Sequence, residues 1–187
     1  MYYVVKYSGI FGFIKPWTAV RDSKTFSQQF LTPSIIEGIE KKLFPELLDR
    51  KGIFKIIRHK LTYSAISVQQ EQTQPRGWEY KKKMFIRQRS ILERGVMLEP
   101  LLALAFDNQD DAQRAATQHI CLCRNEDVLL PLEVERMEEA EFEHIDGFEL
   151  RFGEEEAGAL LAGFNRFNDA NPMYGRLEIT GKPVKGL

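Results

Sequence analysis

Three residues near the middle of the chain have the types and spacing to bind successive phosphates. Arg87 and Arg89 flank Gln88. Alternate residues of a strand point to one face, so both guanidinium groups would lie on the same side, where planar forks pair well with phosphate oxygens. A solvated strand edge is the alternative. We interpret the triplet as a candidate contact for a nucleic-acid backbone.

A cluster of lysines beside two aromatic residues precedes that triplet. Lys81, Lys82 and Lys83 follow Trp78 and Tyr80. Cations next to flat rings suit unstacked single-stranded bases, which lie on the rings while their phosphates meet the positive charge. An exposed basic hairpin that binds nothing is the alternative.

Two further positions could approach a polyanion. Lys15 and Trp17 lie in a loop after a strand that Gly9 and Gly12 interrupt. Ser34 lies at a predicted helix start, where free amide groups and the helix dipole could receive a phosphate. The alternatives are a simple strand end for the loop and ordinary capping for the helix start.

The residues needed for catalysis or metal binding are scattered. His59, His119 and His144 are far from one another in sequence, and we expect each to be structural or exposed. His119 and Cys123 have helical spacing, but two ligands without a second pair do not make a zinc site. No nucleotide-binding or nucleophile-elbow motif occurs. We expect no cofactor and no metal.

The formal net charge of -1 conceals two oppositely charged segments. Between residues 50 and 94, twelve Lys or Arg residues face three glutamates, whereas residues 126 to 156 are strongly acidic. This separation is typical of a protein that binds a polyanion on one side only. Two solvated faces are the alternative.

Composition indicates a globular chain. Its 187 residues, of which 43% are hydrophobic, can bury a core in one domain or in one domain with a small appendage. No stretch approaches the roughly 20 apolar residues of a membrane span, and the N-terminus lacks signal-peptide features. We therefore expect a cytoplasmic protein with no membrane partner, in which Cys121 and Cys123 are reduced thiols on a helix.

The elements that must position these residues follow from periodicity and from turn residues. We expect a strand over 1–13, a helix from Thr32 to Pro45, and a strand after residue 52 with a break near Leu61. A projecting hairpin should follow, with its turn at Pro75, Arg76 and Gly77. Next should come a strand over 95–106 with Pro100 at an edge or bulge, a helix over 110–124, a strand over 128–145, a short helix within 154–167 and a basic tail.

This order predicts an α+β protein with a ferredoxin-like (RRM-like) βαββαβ domain and an inserted β-hairpin. The domain should span residues 1–150, with its hairpin at about 69–90. Residues 151–187 should form a C-terminal extension with a short helix and a Gly-rich basic tail.

Four segments in this order resemble the CRISPR-associated Cas-five family, which belongs to the RAMP superfamily of RNA-binding proteins. They are GIFGFIKPWTAVRDSKTFSQQFLTPSIIEGIEKKLF, IFKIIRHKLTYSAISVQQEQ, FIRQRSILERGVMLEPLLALAF and CLCRNEDVLLPLEVERMEEAEFE. The third is the most specific, since the family carries a Gln-Arg pair before a hydrophobic strand. The likeness runs from about residue 2 to residue 143.

The resemblance implies a structural subunit of a class 1 CRISPR effector, a Cascade-like ribonucleoprotein complex of antiviral defence. Such a subunit caps the 5′ handle of the crRNA, contacts the backbone and large subunits, and meets target DNA indirectly, through guide pairing. The hairpin would be the family's thumb. RNA-binding candidates are Lys15, Trp17, Ser34, Arg76, Trp78, Lys81, Lys82, Lys83, Arg87, Gln88 and Arg89.

Two other functions stay open. In the type I-C branch the family cuts pre-crRNA without a metal, by a Tyr with an adjacent Lys and His. Here Lys83 is followed by Met84, so a general acid or base is missing at this place. Tyr80 and Lys83 are the catalytic candidates, and Tyr63 or Tyr7 with a lysine is the alternative. The chain could instead be a scaffold that acts through its acidic segment, which we expect to face protein.

Overall fold

The computed structural model of the chain describes residues 1–18, 23–73, 77–87 and 90–186. Within these ranges the protein is a mixed α+β structure with mostly antiparallel sheets and three short α-helices, which confirms the α+β class. None of the helices in the described ranges is long and apolar enough to cross a membrane.

The strands and helices follow one another without long gaps. In chain order they are β1 (Tyr2–Ser8), β2 (Phe11–Gly12), β3 (Lys24–Phe26), α1 (Pro33–Leu43), β4 (Ile56–Thr62), β5 (Ala65–Thr73), β6 (Glu79–Lys81), β7 (Met84–Ile86), β8 (Ser90–Leu98), β9 (Leu101–Phe106), α2 (Gln109–Ala115), β10 (Ile120–Cys121), β11 (Val128–Met137), α3 (Glu139–Glu143), β12 (Gly147–Gly153), β13 (Leu160–Asn165) and β14 (Asn171–Thr180). A short 3₁₀-helix, Pro45–Leu47, follows α1.

The largest sheet has eight strands in the order β10-β11-β1-β9-β4-β12-β14-β13, and all its neighbours are antiparallel. Its four strands β11-β1-β9-β4 belong to a chain segment in which α1 lies between β1 and β4 and α2 lies between β9 and β11. These six elements therefore follow one another as strand, helix, strand, strand, helix, strand.

The two faces of this sheet are covered by different helices. Alternate residues of β1 and β9 point to opposite faces. One set packs under α1 and α2 in the main core and includes Val5, Tyr7, Leu102 and Leu104. The other set packs under Phe142 of α3 and comprises Tyr2, Val4, Ala103 and Ala105. Because both faces are covered, these central strands carry apolar residues at nearly every position.

Helix α1 begins and ends where its prolines predict. Pro33 occupies the first turn after Thr32, and the helix stops at Leu43, two residues before Pro45, whose ring cannot continue the hydrogen bonding. The buried carboxylate of Glu40 accepts the backbone N–H groups of Phe54, Lys55 and Ile56 at 2.6 to 3.1 Å. This contact ties the chain entering β4 to the helix.

A long two-stranded ribbon carries the predicted hairpin. Strands β5 and β8 pair from Ala65 opposite Leu98 to Thr73 opposite Ser90, and β8 also pairs with β2 and β3. Beyond the ribbon, β6 and β7 form a smaller hairpin of their own. The predicted turn at Pro75 and Arg76 lies outside the described residues, and the turn that the structure describes is at Lys82 and Lys83.

The helix expected over 110–124 is shorter than predicted, because α2 ends at Ala115. The carbonyl oxygen of Ala115 accepts the hydroxyl of Tyr7 from β1 at 2.7 Å and the backbone N–H of Gln118 at 3.2 Å, so no further α-helical turn is needed to satisfy it. The chain then reverses, and Ile120–Cys121 pairs with β11. The two free cysteines therefore lie on a short strand and in the loop after it, and the prediction of a helix there was wrong.

The C-terminal short helix was also a wrong prediction, because residues 160–165 form strand β13 and the tail forms strand β14. Gly158 and Gly163 have φ values of +87° and +124°, which a right-handed helix excludes. The predicted division after residue 150 falls within β12, and it remains a prediction.

Two segments that were each predicted to form one strand are divided in the structure. The segment around Pro100 forms β8 and β9 in different sheets, with the proline in the connection between them. The strand expected over 128–145 ends at Met137, after which α3 begins. In both cases the chain changes its partners at the break.

Candidate nucleic-acid interface

The hairpin of β6 and β7 ends in a turn made of two lysines. Lys81 pairs with Met84, and Lys82 and Lys83 between them have φ values of +50° and +62°. Hairpin turns with two left-handed residues normally use Asn-Gly, because a side chain disfavours this conformation. Holding a non-glycine residue there costs about 1–3 kcal/mol. The turn therefore keeps two ammonium groups at the end of the ribbon despite an energetic cost.

One face of the same hairpin exposes aromatic rings. Tyr80 lies directly opposite Phe85, with 5.1 Å between ring centroids. The guanidinium carbon of Arg87 lies 4.6 Å from the ring centre of Trp78. Alternate positions on a strand share a face, so these four residues lie together. We call Trp78, Tyr80, Phe85 and Arg87 the aromatic platform.

The aromatic platform is unusually exposed for its composition. Trp78, Tyr80 and Phe85 are 61%, 64% and 68% exposed. Large apolar groups at neighbouring exposed positions mark an interaction surface, since a soluble protein rarely leaves such a patch uncovered. Flat rings beside Arg and Lys offer stacking for bases and charge for phosphates, which is the combination found in proteins that bind single-stranded nucleic acid.

Most hairpin candidates from the sequence lie on this element, but three of them cannot be assessed. Arg76, Gln88 and Arg89 lie outside the described residues, so the shared face of the two arginines stays a prediction. Arg87 is described and lies on Trp78.

Phe85 was missed by the sequence reasoning. Phe85 could have been identified from its pairing with Tyr80, but this pairing can be seen only when the turn is placed at Lys82 and Lys83.

A second group of candidates meets at the start of α1. One cavity of about 140 Å³ is lined by Lys15, Trp17 and Ser34, together with Cys123 and Phe164. In the sequence, Ser34 lies 19 residues after Lys15 and 17 residues after Trp17. We call these five residues the helix-start cleft. Four separate chain segments supply these five residues, so the sequence could suggest some of its members but not that they lie together.

One glycine allows close packing in the helix-start cleft, and a second does so in the neighbouring cavity. The ring of Trp17 packs edge-to-face on Phe164 with centroids 5.6 Å apart, and a Cβ on Gly163 would lie 3.2 Å from the Trp17 side chain. A Cβ on Gly38 of α1 would lie 2.8 Å from the guanidinium of Arg166. Arg166 thus lies across the helix, and it lines a neighbouring cavity of about 250 Å³ that also includes Ser34.

Several basic residues of the central segment bind other parts of the protein. Arg58 is buried and donates to Glu149 at 2.6 Å and to Glu143 at 2.7 Å. The Nζ atom of Lys60 donates to the carbonyl oxygens of Glu143 and Ile145, each at 2.8 Å. The excess positive charge in the sequence is therefore partly internal, and these residues hold α3 on the sheet.

The same contacts set the protonation of Glu143. Hydrogen bonds from Arg58, and further interactions with Arg58 and Arg151, lower the pKa of the Glu143 carboxyl to about 2. Glu143 also accepts Arg151 at 2.8 Å. This ionised cluster lies over the sheet face that would otherwise be open.

The histidines do not join the aromatic platform or the helix-start cleft. His59 is buried in β4, its ring stacks on Phe152 with centroids 5.3 Å apart, and its Nε2 atom has no partner among the described residues. Burial, reinforced by the positive charges of Arg58 and Arg151, lowers the pKa of His59 to about 3. It is a structural residue of the core.

The catalytic candidates Tyr80 and Lys83 both lie on the hairpin, where Tyr80 packs against Phe85. Residues 77–87 include both candidates and contain no histidine, so this hairpin carries no imidazole. Over the described ranges, no group of three or more His, Cys, Asp or Glu side chains could hold a metal ion.

Comparison with known proteins gives a match in structure alone. No family model matches the sequence, and no curated protein does so either. A solved chain from a CRISPR RNA-guided surveillance complex has a similar structure, with a TM-score of 0.54 and 11% sequence identity. The similarity covers 98% of this chain and 93% of that chain. At this identity the likeness shows a shared fold.

Proposed function

We propose that this protein is an RNA-binding subunit of a class 1 CRISPR effector complex, and that it holds the 5′ handle of the guide RNA. The observation that carries the proposal is the aromatic platform, three exposed rings with an arginine at the end of a ribbon whose turn consists of lysines. The fold shared with a chain of a CRISPR RNA-guided surveillance complex supports it.

The finer classification of the fold is part of this proposal. Antiparallel strands in the order β11-β1-β9-β4, with α1 and α2 in the connections, are what a ferredoxin-like βαββαβ core requires. The four sequence segments that resemble the Cas-five family fall within this core and its hairpin. We therefore assign the chain to that family, with the ribbon as its thumb.

The RNA would not lie on the open sheet face that RRM domains use. In those domains, exposed aromatic residues on the sheet stack the bases. Here Tyr2 is only 9% exposed and packs edge-to-face on Phe142 of α3, with centroids 5.7 Å apart. Because Phe142 of α3 packs on this face, the aromatic platform and the helix-start cleft are the surfaces that we propose for RNA.

The two surfaces would bind different parts of the RNA. The aromatic platform would stack unpaired bases, each worth about 1–3 kcal/mol. In the helix-start cleft, Lys15 and the amide groups at the start of α1 would meet phosphate, with Trp17 as a stacking surface. Sequence would then be read by guide pairing, while this subunit grips backbone and shape.

The partners of the proposed complex are its backbone and large subunits, with target DNA contacted indirectly. Acidic residues at α3 belong on the protein-facing side, because carboxylates near phosphates repel them. Glu138 and Glu141 already form a capping pair, in which the Glu138 N–H donates to the Glu141 carboxylate at 2.7 Å.

The test is binding of the purified chain to a single-stranded RNA that carries a CRISPR repeat-derived 5′ handle, measured by fluorescence anisotropy. Replacing Trp78 and Phe85 with alanine should weaken binding by about 5- to 150-fold for each stacked base lost. A matched control is Phe54→Ala, because Phe54 is also exposed and lies 3.9 Å under an arginine, Arg50. Affinity should fall steeply with salt.

Two results would overturn the proposal. Equal affinity of the wild type and the Trp78→Ala/Phe85→Ala variant would remove the aromatic platform from the interface. Cleavage of the RNA by the wild type, lost in Lys83→Ala while affinity survives, would favour the endoribonuclease instead.

A further inference from the structure

An apolar groove lies where β1 ends and β11 begins. Its volume is about 680 Å³, and its apolar wall includes Ile10, Phe11, Val128, Leu130 and Leu132. Ile10, Leu130 and Leu132 are 81%, 59% and 52% exposed. Neither the aromatic platform nor the helix-start cleft contains any of these residues, so the groove is a third, separate surface.

The wall of the groove is built on rigid backbone. Leu130 pairs with Ser8 of β1, and the neighbouring Leu129 points into the main core. A Cβ on Gly9 would lie 2.5 Å from the Leu129 side chain and 2.6 Å from the Val128 carbonyl oxygen, so the chain leaving β1 is packed tightly here. The backbone that carries the exposed leucines is therefore held in place by strand pairing and by this packing.

The edge of the sheet is also open at this point. Strand β10 covers β11 only at Val128 and Leu129. In the part of the chain that the structure describes, no strand pairs with the outer edge of β11 from Leu130 to Met137. An extended segment therefore has room to lie along the groove.

Both charged residues that line the groove are acidic. Glu99 and Glu126 line it, and its lining, as far as the structure describes it, contains no Lys or Arg. Glu126 lies 3.4 Å from Arg124, and Glu99 accepts the Ser64 hydroxyl at 2.6 Å. An RNA phosphate would be repelled here, whereas a cation would be attracted.

We propose that this groove docks an extended, basic segment of another protein, with large apolar side chains over Leu130 and Leu132 and Lys or Arg beside Glu99 and Glu126. The proposal rests on the proposed function only for the source of the segment, a neighbouring subunit of the same complex. A second copy of this chain fits less well, because a two-fold contact would bring the same glutamates together.

The first experiment selects peptides of about 12 residues from a random displayed library on the full chain, with counter-selection on Leu130→Asp. Recovered peptides should be enriched in Lys or Arg and in Leu, Ile, Val or aromatic residues. Acidic peptides, or no enrichment over the starting library, would overturn the proposal.

The second experiment measures the affinity of the most enriched peptide by fluorescence anisotropy. Leu130→Asp, and separately Glu99→Lys/Glu126→Lys, should weaken it at least about tenfold, roughly the loss of one good contact. Ile179→Asp is the matched control, since Ile179 is 60% exposed on the same sheet. Unchanged binding in both groove variants would refute the site, and loss of a wild-type dimer in Leu130→Asp would point to self-association instead.

RNA affinity is measured on the same preparations. It should be unchanged in the groove variants, whereas Trp78→Ala/Phe85→Ala should keep peptide binding. If the RNA proposal is wrong, peptide binding should still be intact. If the groove proposal is wrong, RNA binding should still be intact.

Discussion

The stability of the protein should fall on mild acidification because of one buried histidine. His59 is 3% exposed, and in the described residues its Nε2 atom has no hydrogen-bond partner. Burial and the nearby charges of Arg58 and Arg151 lower its pKa from 6.5 to about 3. The unfolded chain therefore binds this proton more readily than the folded one. The stability that His59 contributes is therefore fully present above its unfolded pKa of 6.5, and it is lost as pH falls towards its folded pKa of about 3.

The size of the effect follows from the width of that interval. Each pH unit between the two pKa values is worth about 1.4 kcal/mol, so the free energy of unfolding should fall by about 2 kcal/mol between pH 7.5 and pH 5. The pKa of Glu143 is also lowered, to about 2 from 4.5, but the stability it contributes is lost only as pH falls below its unfolded value. The chosen window therefore excludes most of the Glu143 contribution.

Urea unfolding across this window tests the reasoning. His59→Phe removes the titrating group and keeps a ring beside Phe152, so its stability should change little with pH over the same range. His119→Gln serves as the control, because it retains His59 and therefore the wild-type slope. A wild-type protein equally stable at both ends of the window, or an unchanged slope in His59→Phe, would refute the assignment of His59.

Two further predictions concern the ion cluster and the hairpin turn. Arg58→Met should destabilise the protein by about 3–5 kcal/mol in urea unfolding, because it leaves the buried Glu149 with only the longer contact to Arg151 at 3.6 Å. The double variant with Glu149→Met should recover much of the loss, and no recovery would contradict the pairing. Lys82→Asn/Lys83→Gly places residues that favour the left-handed conformation in the turn, so hydrogen exchange of the hairpin amides should become slower. The same variant loses two phosphate contacts, so the slope of log affinity for RNA against log salt concentration should become shallower by about 1.4. An unaltered salt slope would exclude these lysines from the RNA contact.

Local signals in the sequence predicted the elements that are decided by a few neighbouring residues. Helix α1 starts at Pro33 and stops before Pro45, because the ring of proline acts on its own turn. A projecting hairpin with aromatic and basic residues was also predicted, but its turn was expected at residues 75–77, whereas the turn that the structure describes is at Lys82 and Lys83. The break between β4 and β5 near Leu61 was predicted in the same way, and the structure places it at residues 63 and 64.

Other elements depend on partners far along the chain. At the end of α2, the carbonyl oxygen of Ala115 accepts the hydroxyl of Tyr7, which is 108 residues away in sequence. The tail is a strand because β14 pairs with β12 from Gly147 to Gly153. No window of neighbouring residues contains these contacts, so periodicity alone favoured a longer helix and an irregular tail.

The sequence by itself determined which residue types could bind RNA, since lysines beside tryptophan and tyrosine are visible without coordinates. Only the tertiary structure decided which of the charges are available. Arg58 and Lys60 look like their exposed neighbours in the sequence, but they lie buried against Glu143, Glu149 and the carbonyl oxygens near α3. The physical reason is that a charge buried in the sheet needs partners from distant segments, whereas a lysine at a hairpin turn needs only water.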